Sequence, residues 1–593
     1  MKIKNTLSAL CLSLAVAGCN LDVKMYDGVM AEDLSSNNIA EVSNGSYRLL
    51  KNDGGLIDYG FYFWSLGGDD LSWGGTSTGA MYKIYDYQRN IASSCTEYAW
   101  ELGYRTIGNA NLVIEMIEAL GDNHTDEHTV IKGENYYLRA LCYFLLVNEF
   151  AQPYSNNPTQ NPGLPLKLDS DAEPAHLPQS RSTVAEVYEQ IVNDLKDAIT
   201  CMTLPEGMTP KSNCYATKEA AEALLARVYL YMGNYSEAYK MANSVITSGR
   251  FSLERGNRYA TYPQFVPEEN KETIFAVRRT KEKDDNGYSR PGSMFINVDD
   301  TGWEEIYASS RYLELLELHL DENGMPLDLR SRFVNKRYVE DGVEDYSIAG
   351  YPEKEYTDWT FTYAATNNKY IQLAIAKQSD GRYLIADEDA SDYTSEYLQT
   401  ENYNLGTRYY VVGNDGTKYI GRIEPKVFDA ATKRGKMSQF LVYAINKFSY
   451  QEQSKQLWSP VISRLSEMYL IRAEANMKNG GTLEATLSDI NILRERAGIP
   501  LWTVENMQTA GEGGTSKDIY EIIEEERMLE LAWEGHRRFD IARNRGTINR
   551  NYPGGHLVSN PNCKEIPYNS PSICEFIPQA QYDAYPYKLE QNP

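Results

Sequence analysis

Three glutamates spaced four residues apart, Glu526, Glu530 and Glu534, lie within the charged segment EERMLELAWEGHRRFD at 525–540. On a helix this spacing places them on one face, where like charges repel. Carboxylate pairs are also the groups with which glycoside hydrolases protonate a leaving group and activate a nucleophile. The segment is therefore open to three interpretations: a catalytic carboxylate cluster, a solvated face, or a structural element whose partners lie elsewhere.

The neighbouring residues favour the structural interpretation. Apolar side chains, among them Trp533, surround most of the predicted helix, so some of its charges must face protein. A buried carboxylate without a partner is very costly. Gly535 is costly within a helix, so we expect it to permit close packing. Matching cations occur in otherwise apolar helical segments, and we expect them to pair with the three glutamates and to lock helices together. They are Arg139, Arg227 and Arg472.

No other residue pattern predicts catalysis or a bound metal. The sequence GGDD at 67–70 is similar to the cyclic-dinucleotide cyclase signature, but four residues followed by leucine are better explained as coincidence. No Ser-His-Asp neighbourhood, phosphate loop or metal-ligand spacing stands out. We therefore predict no catalytic residue, no metal and no cofactor.

The composition excludes some partners. The 593 residues are 42% hydrophobic and 24% charged, which is typical of a globular chain. The net charge of −25 argues against nucleic acid and against anionic lipid as the main partner. Tyrosine is abundant, at 46 residues, and its apolar ring with a polar tip suits half-wet sites.

The N-terminus resembles a bacterial lipoprotein signal. Lys2 and Lys4 precede a short apolar run at 7–17, which ends in VAGC at 16–19. Such a run is too short to span a bilayer as a mature helix. We expect a signal peptide at 1–18, cleavage before Cys19, acylation of Cys19, and a lipidated tether at 19–36. Several acyl chains on one residue would anchor the protein firmly.

Six further cysteines follow Cys19, and an exported protein can form disulfides. Cys201 with Cys214, and Cys563 with Cys574, are the local candidates, although the sequence alone does not fix the pairing.

Helical periodicity predicts an α-rich scaffold. In the stretch 217–249 one helix ends near Met232, Gly233 makes the turn, and small residues follow the tetratricopeptide pattern, in which paired helices approach closely. A similar pair is predicted at 463–481 and 482–499. Further helices are predicted at 96–120, 133–150 and 183–202.

The rest of the chain differs in kind. Residues 250–460 have few helical periods, and 408–423 predicts a β-hairpin that turns at 414–416. Residues 546–593 predict an irregular tail. We therefore predict a mostly α fold in which tetratricopeptide-like helical pairs, around 96–150, 183–249 and 463–545, support an irregular, loop-rich half with short β-hairpins. We expect residues 37–593 to form one domain.

The charged segment, extended to EERMLELAWEGHRRFDIAR, resembles the signature helix of the SusD/RagB family of outer-membrane lipoproteins. The lipobox, YLRAL before a proline-rich loop, ALLARVYLYMGNYSEA, SEMYLIRAEA, INILRERAG and the tail PYKLEQNP carry the same resemblance across the chain. It implies a lipid-anchored protein on the cell exterior that binds a glycan and delivers it to a SusC-like TonB-dependent transporter.

For such a ligand, flat sugar faces stack on Trp and Tyr, while hydroxyls need Asp, Asn and Arg. The region 63–90 has this mixture, and the resemblance favours ligand contacts there. A second contribution is expected from Trp303 with Tyr307, or from Tyr356 with Trp359. We therefore expect two ligand-side inserts, at 60–90 and at 250–460, of which the second holds these four residues. The candidates in 63–90 are Asp70, Trp73, Tyr82, Tyr85 and Arg89.

Three rival functions remain open. A member of this family could capture peptides instead of glycans. A surface glycoside hydrolase would release products from a polysaccharide. A pure assembly scaffold would bind no ligand.

Overall fold

The computed structural model describes residues 38–593 except for 52–54, 63–65, 74–78, 172, 286–291, 297–301, 322–325, 339–358, 365–369, 387, 404–405, 426–440, 509–515 and 553–563. The predicted lipobox with Cys19, and Tyr356, therefore lie outside the described residues. Within these ranges, no helix combines the length and the apolar character needed to cross a membrane.

The chain is rich in helix, as the periodicity predicts. The α-helices are α1 (Ile39–Lys51), α2 (Ala80–Tyr85), α3 (Ser94–Glu118), α4 (Asp126–Phe150), α5 (Val184–Cys201), α6 (Lys218–Met232), α7 (Tyr235–Thr247), α8 (Asn257–Ala260), α9 (Lys281–Asp284), α10 (Gly292–Phe295), α11 (Ser310–Leu316), α12 (Leu465–Lys478), α13 (Leu483–Ala497), α14 (Val504–Gln508), α15 (Ile519–Glu530), α16 (Arg537–Arg543) and α17 (Gln579–Ala584).

The residues at the helix ends define the clearest of the predicted helical pairs, α6 and α7. Thr217 caps α6 by accepting a hydrogen bond from Ala220 N, and Gly233 ends that helix with a left-handed φ of 74°. Asn234 then caps α7. Both the pair and its turn are confirmed. The helix predicted at 133–150 begins earlier, at Asp126, because Thr125 forms a capping box there.

The long helices pack one on the next in a continuous layer, in the order α1, α3, α4, α5, α6, α7, α12, α13. The pairs α6–α7 and α12–α13 are distant in sequence, yet α7 packs directly against α12. Ala226, Ala238 and Ala242 are fully buried in α6 and α7, where small side chains allow close helix contact.

The segment between the two pairs carries most of the strands. The strands are β1 (Leu71–Trp73), β2 (Thr273–Ala276), β3 (Ile306–Ala308), β4 (Val334–Tyr338), β5 (Trp359–Ala364), β6 (Tyr370–Lys377), β7 (Tyr383–Ile385), β8 (Gln399–Tyr403), β9 (Gly406–Val412), β10 (Lys418–Pro425), β11 (Leu441–Ile445), β12 (Val461–Arg464), β13 (Thr547–Asn549) and β14 (Glu565–Pro567).

The strands form antiparallel sheets in the orders β1-β3-β11-β4, β7-β6-β5-β10-β9-β8, β12-β2 and β13-β14. The predicted hairpin at 408–423 is confirmed as β9 and β10, with Lys418 opposite Val412 and Gly416 left-handed at the turn. Around this hairpin the sheet extends to six strands, which is more regular structure than the sequence predicts.

The charged segment is not one helix, which corrects the sequence prediction. Helix α15 ends at Glu530, and α16 begins only at Arg537. Between them Trp533 has a φ of 64° and Gly535 has a φ of 83°. These left-handed conformations cannot continue an α-helix, so the chain turns here. Gly535 thus serves the turn.

Cations satisfy the carbonyl groups at this helix end. Lys447 Nζ lies 3.2 Å from the carbonyl oxygens of Glu530 and Ala532, and Arg464 Nη2 donates to the Glu530 carbonyl at 2.6 Å. A helix end leaves such carbonyls without intrahelical partners. Buried Lys and Arg side chains therefore fix where α15 ends.

The three glutamate side chains are buried and ion-paired. Arg464 Nη1 lies 2.5 Å from Glu530 Oε1, and Arg464 Nε lies 2.8 Å from Glu534 Oε2. Arg330 Nη1 lies 2.6 Å from Glu526 Oε1, and Arg496 Nη2 lies 2.5 Å from Glu530 Oε2. All these side chains are buried. We call them, with Lys447, the buried ionic network.

The predicted partners of the glutamates need correction. Arg139, Arg227 and Arg472 each form a two-pronged pair with a carboxylate on a neighbouring helix instead of with the charged segment. Arg139 on α4 binds Asp194 on α5, Arg227 on α6 binds Glu467 on α12, and Arg472 on α12 binds Asp489 on α13. They do lock helices together, because each pair joins two adjacent helices of the layer.

The predicted cysteine pairs are also corrected. Cys201 and Cys214 are both free thiols, and Cys574 is free as well. Cys563 lies outside the described residues.

A first prediction concerns the pair that joins α6 to α12. Arg227 Nε lies 2.6 Å from Glu467 Oε1, and both side chains are almost fully buried. The Arg227→Ala substitution leaves the Glu467 carboxylate buried without its cation, so we expect the free energy of unfolding to fall by about 3–5 kcal/mol. Chemical denaturation measures this change.

The matched control is Arg105→Ala. The Arg105 side chain pairs with Glu101 on α3 but is 63% exposed, and we expect a change below about 0.5 kcal/mol. A similarly small change for Arg227→Ala would contradict the buried pair.

A second prediction concerns acid. Burial alone would raise the pKa of Glu534, but Arg464 and Lys447 outweigh burial and lower that pKa. The unfolded chain then takes up the proton first as the pH falls. The stability that this carboxylate contributes is therefore present above its unfolded pKa of about 4.3 and lost below it. We expect a shallower acid decline in Glu534→Gln than in the wild type, measured by urea denaturation between pH 7 and pH 3.

Glu495→Gln is the control for this experiment, because the Glu495 side chain is 65% exposed. It is expected to keep the wild-type acid profile. Parallel curves for Glu534→Gln and the wild type would count against an ionised Glu534 in the folded protein.

Candidate functional site

The aromatic residues predicted in the N-terminal loop are in the core. Trp73 is 1% exposed, and Tyr82 and Tyr85 are both 0% exposed. Their ring centroids lie 5.7–6.2 Å apart, so the three rings pack on one another. The structure thus corrects the expected stacking surface, since none of the three rings presents a face to a ligand.

The two polar candidates of this loop are also engaged within the protein. Asp70 is buried, and its Oδ2 accepts a hydrogen bond from Trp533 N at 3.0 Å, while its carbonyl accepts from Trp533 Nε1 at 2.9 Å. Burial, reinforced by the neighbouring Asp69 charge, raises the pKa of Asp70 to about 6. Asp70 therefore holds the turn between α15 and α16.

Arg89 is half-buried against the C-terminal tail. Its Nη1 donates to the Cys574 carbonyl at 3.3 Å, and its guanidinium lies 4.1 Å from the centroid of the Phe576 ring. This placement favours a role in tying the tail to the helices.

Two tryptophans differ from the other described ones. Trp303 and Trp359 are each 38% exposed, whereas the remaining described tryptophans are buried or half-buried. Because an indole loses favourable burial when it stays in water, an exposed one is a candidate for binding. Both residues are predicted candidates.

Trp303 stands on a tightly built loop before β3. Gly302 has φ of 109°, and a Cβ there would collide with the Ile296 carbonyl oxygen. Glu304 on the other side has φ of 43°, although it is not glycine. Such backbone persists only where the surroundings impose it, and it clusters at functional sites.

Hydrogen bonds fix this loop from beneath. Trp303 N donates to the Ser293 carbonyl at 2.6 Å, and Glu305 N donates to the Met294 carbonyl at 3.0 Å. Tyr307, predicted as a ligand contact, is 8% exposed and donates its hydroxyl to the Glu304 carbonyl at 2.8 Å. Tyr307 therefore supports the loop, and Trp303 is presented to solvent on a preorganised backbone.

Trp359 has a different setting. It begins β5 and shares a strand face with Phe361 and Tyr363, which are 0% and 4% exposed. Its neighbours across the sheet are Ile375 and Pro425. Trp359 is thus the last apolar side chain of a row that begins in the core of the sheet and ends at the surface. This position accounts for its exposure even if no ligand binds there.

Among the described residues, no group of three or more His, Cys, Asp or Glu side chains could hold a metal ion. Glu526, Glu530 and Glu534 belong to the buried ionic network, so these three carboxylates have a structural role.

Comparisons with known proteins agree with this fold. Residues 21–230 match a SusD-like family described as starch-binding associating with outer membrane, and residues 271–560 match the SusD family. SusD-like protein P2 of Formosa agariphila is 25% identical over 91% of this chain and 90% of its own length.

Solved structures share the architecture. A SusD superfamily protein from Bacteroides thetaiotaomicron superposes with a TM-score of 0.68 at 24% identity, over 94% of this chain and 100% of that one. A laminarin-binding SusD-like protein superposes with a TM-score of 0.56 at 19% identity, over 94% of this chain and 99% of that one. The two family matches together span most of the sequence, and the protein belongs to the SusD/RagB family.

Proposed function

We propose that the protein binds a glycan at the cell surface and delivers it to a SusC-like TonB-dependent transporter. In this proposal Cys19 carries the lipid anchor in the outer membrane. The protein captures its ligand and leaves it chemically unchanged. Membership of a family described as starch-binding supports the glycan, and the lipobox supports the anchor.

The exposed Trp303 carries the proposal for the site. Its indole is 38% exposed, and its loop is held by left-handed residues on both sides and by hydrogen bonds to residues 293 and 294. A rigid aromatic face loses little conformational entropy when a sugar ring stacks on it. Trp303 is therefore the proposed stacking platform, and Trp359 is the second candidate.

The third prediction tests this platform with the purified full chain. Affinity electrophoresis through gels that hold separate polysaccharides, laminarin among them, identifies the glycan that retards the wild type. We expect Trp303→Ala to weaken binding of that glycan by roughly 30-fold, the size expected for loss of a central aromatic contact. Calorimetry with a matching oligosaccharide measures the loss.

Two variants control for exposed aromatic surface in general. Trp359→Ala removes an indole of equal exposure, and Tyr98→Ala removes a ring that is 50% exposed on α3. We expect Tyr98→Ala to bind as the wild type does. Binding lost in Trp359→Ala but retained in Trp303→Ala would move the site to the six-stranded sheet. Absence of binding to every glycan would contradict the proposed function.

A further inference from the structure

A charged cleft of about 680 Å³ lies beside the charged segment. It is distinct from the Trp303 loop. Asp69 precedes β1 and Arg311 follows β3, and both line the cleft. Because β1 and β3 are antiparallel, with Leu71 opposite Ala308, the cleft lies at one end of this strand pair and Trp303 at the other.

Most charges in the cleft already have partners. Arg537 Nε lies 2.5 Å from Asp69 Oδ1, Arg527 Nε lies 2.9 Å from Asp540 Oδ2, and Arg543 Nη1 lies 2.6 Å from Glu474 Oε1. These pairs hold α15 and α16 against their neighbours. Two further carboxylates, Glu314 and Glu524, line the cleft, and Glu524 Oε1 lies 2.9 Å from Arg537 Nη1.

Arg311 is a cation of the cleft that has no such partner among the described residues. It is half-buried at the second position of α11, and it makes no hydrogen bond or ion pair with the part of the chain that the structure describes. Burial raises the pKa of Asp69, but Arg537, with a smaller contribution from the Arg311 charge, lowers that pKa below its ordinary value. All guanidinium donors of Arg311 are thus available to an acceptor that enters the cleft.

Arg527 supplies a second observation. The residue is 4% exposed and lines the same cleft. Its Nε and Nη2 donate to Asp540 at 2.9 Å, but Nη1 is buried without a partner among the described residues. A buried donor without an acceptor is costly, so sites of this kind are normally completed by water or by a ligand.

The remaining lining suits a sugar. Tyr520 is 44% exposed and offers a flat ring, while Thr547, Asn549 and Asn551 place hydroxyl and amide groups on the exposed side of β13 and just beyond it. A guanidinium fork matches the two oxygens of a carboxylate or sulfate group.

We infer that this cleft binds the anionic group, carboxylate or sulfate, of an acidic oligosaccharide, with Arg311 as its principal contact. The inference rests on the proposed function only in taking the ligand to be a glycan. It adds an acidic ligand class to a protein whose overall charge of −25 would otherwise repel one.

The fourth prediction compares four ligands of similar length by calorimetry on the full chain. They are an oligogalacturonide, a sulfated galactan fragment, a neutral laminari-oligosaccharide and an oligoglutamate. We expect the wild type to bind an acidic oligosaccharide more tightly than the neutral one. Arg311→Gln should lower the affinity for that acidic ligand by at least about tenfold and leave the affinity for the neutral ligand unchanged.

Two further variants separate binding from folding. Because Arg311 has no partner in the described chain, Arg311→Gln is expected to keep the wild-type melting temperature. Arg311→Lys keeps the charge but loses the fork, and we expect intermediate affinity. Arg105→Gln removes an exposed arginine elsewhere and is expected to bind like the wild type.

The outcomes are distinguishable. Equal affinity for acidic and neutral ligands, or an unchanged acidic affinity in Arg311→Gln, would overturn the inference. Oligoglutamate bound as tightly as the acidic sugars would overturn the assignment to a glycan. If the neutral oligosaccharide binds through Trp303 and neither acidic sugar binds, the assignment of the cleft to an acidic ligand would be overturned. The proposed function would then be retained. Whichever of the two acidic ligands binds more tightly, the oligogalacturonide or the sulfated galactan, identifies the anionic group as carboxylate or sulfate.

Discussion

Burial of the Glu530 carboxylate is the constraint on which most of this structure depends. Burial opposes its ionisation, but Arg496, Arg464 and Arg330 together hold the pKa of Glu530 well below its ordinary value. These arginines come from α13, from the end of β12 and from the residues before β4. Three separate parts of the chain therefore meet at one ionised carboxylate, and removal of a cation would weaken the compensation of the buried negative charge.

This requirement extends to the loop that follows α15. Lys447 and Arg464 bind the carbonyl oxygens at the helix end, and the chain then turns through Trp533. Trp533 in turn fixes Asp70, and Asp70 stands directly before β1. Exchanging buried ion pairs for apolar contacts is often neutral or stabilising in other proteins. We therefore interpret the network as a device that specifies one arrangement of segments more than as a source of net stability.

The local features of the fold could be predicted from sequence, and the long-range ones could not. Capping residues and Gly233 define α6 and α7 within a short stretch, and the turn near Gly416 defines the hairpin β9–β10. The partner of Asp70 is a turn 463 residues away, for which no local pattern exists. A tryptophan between polar residues and glycines is typical of a binding loop, yet here Trp73 packs against Tyr82 and Tyr85, and its strand pairs with the distant β3. Trp303 was a candidate from sequence, but its strained backbone is visible only in the structure.

The central claim is that the buried ionic network and the buried rings of Trp73, Tyr82 and Tyr85 hold the fold, while Trp303 contacts the ligand. A crystal structure of the full chain with its most strongly retained oligosaccharide tests this claim most directly. The account predicts a sugar ring stacked on the Trp303 indole, with Trp73, Tyr82 and Tyr85 still buried. A sugar stacked on Trp73 after residues 66–73 have moved outward, with the Trp303 indole left in solvent, would contradict it.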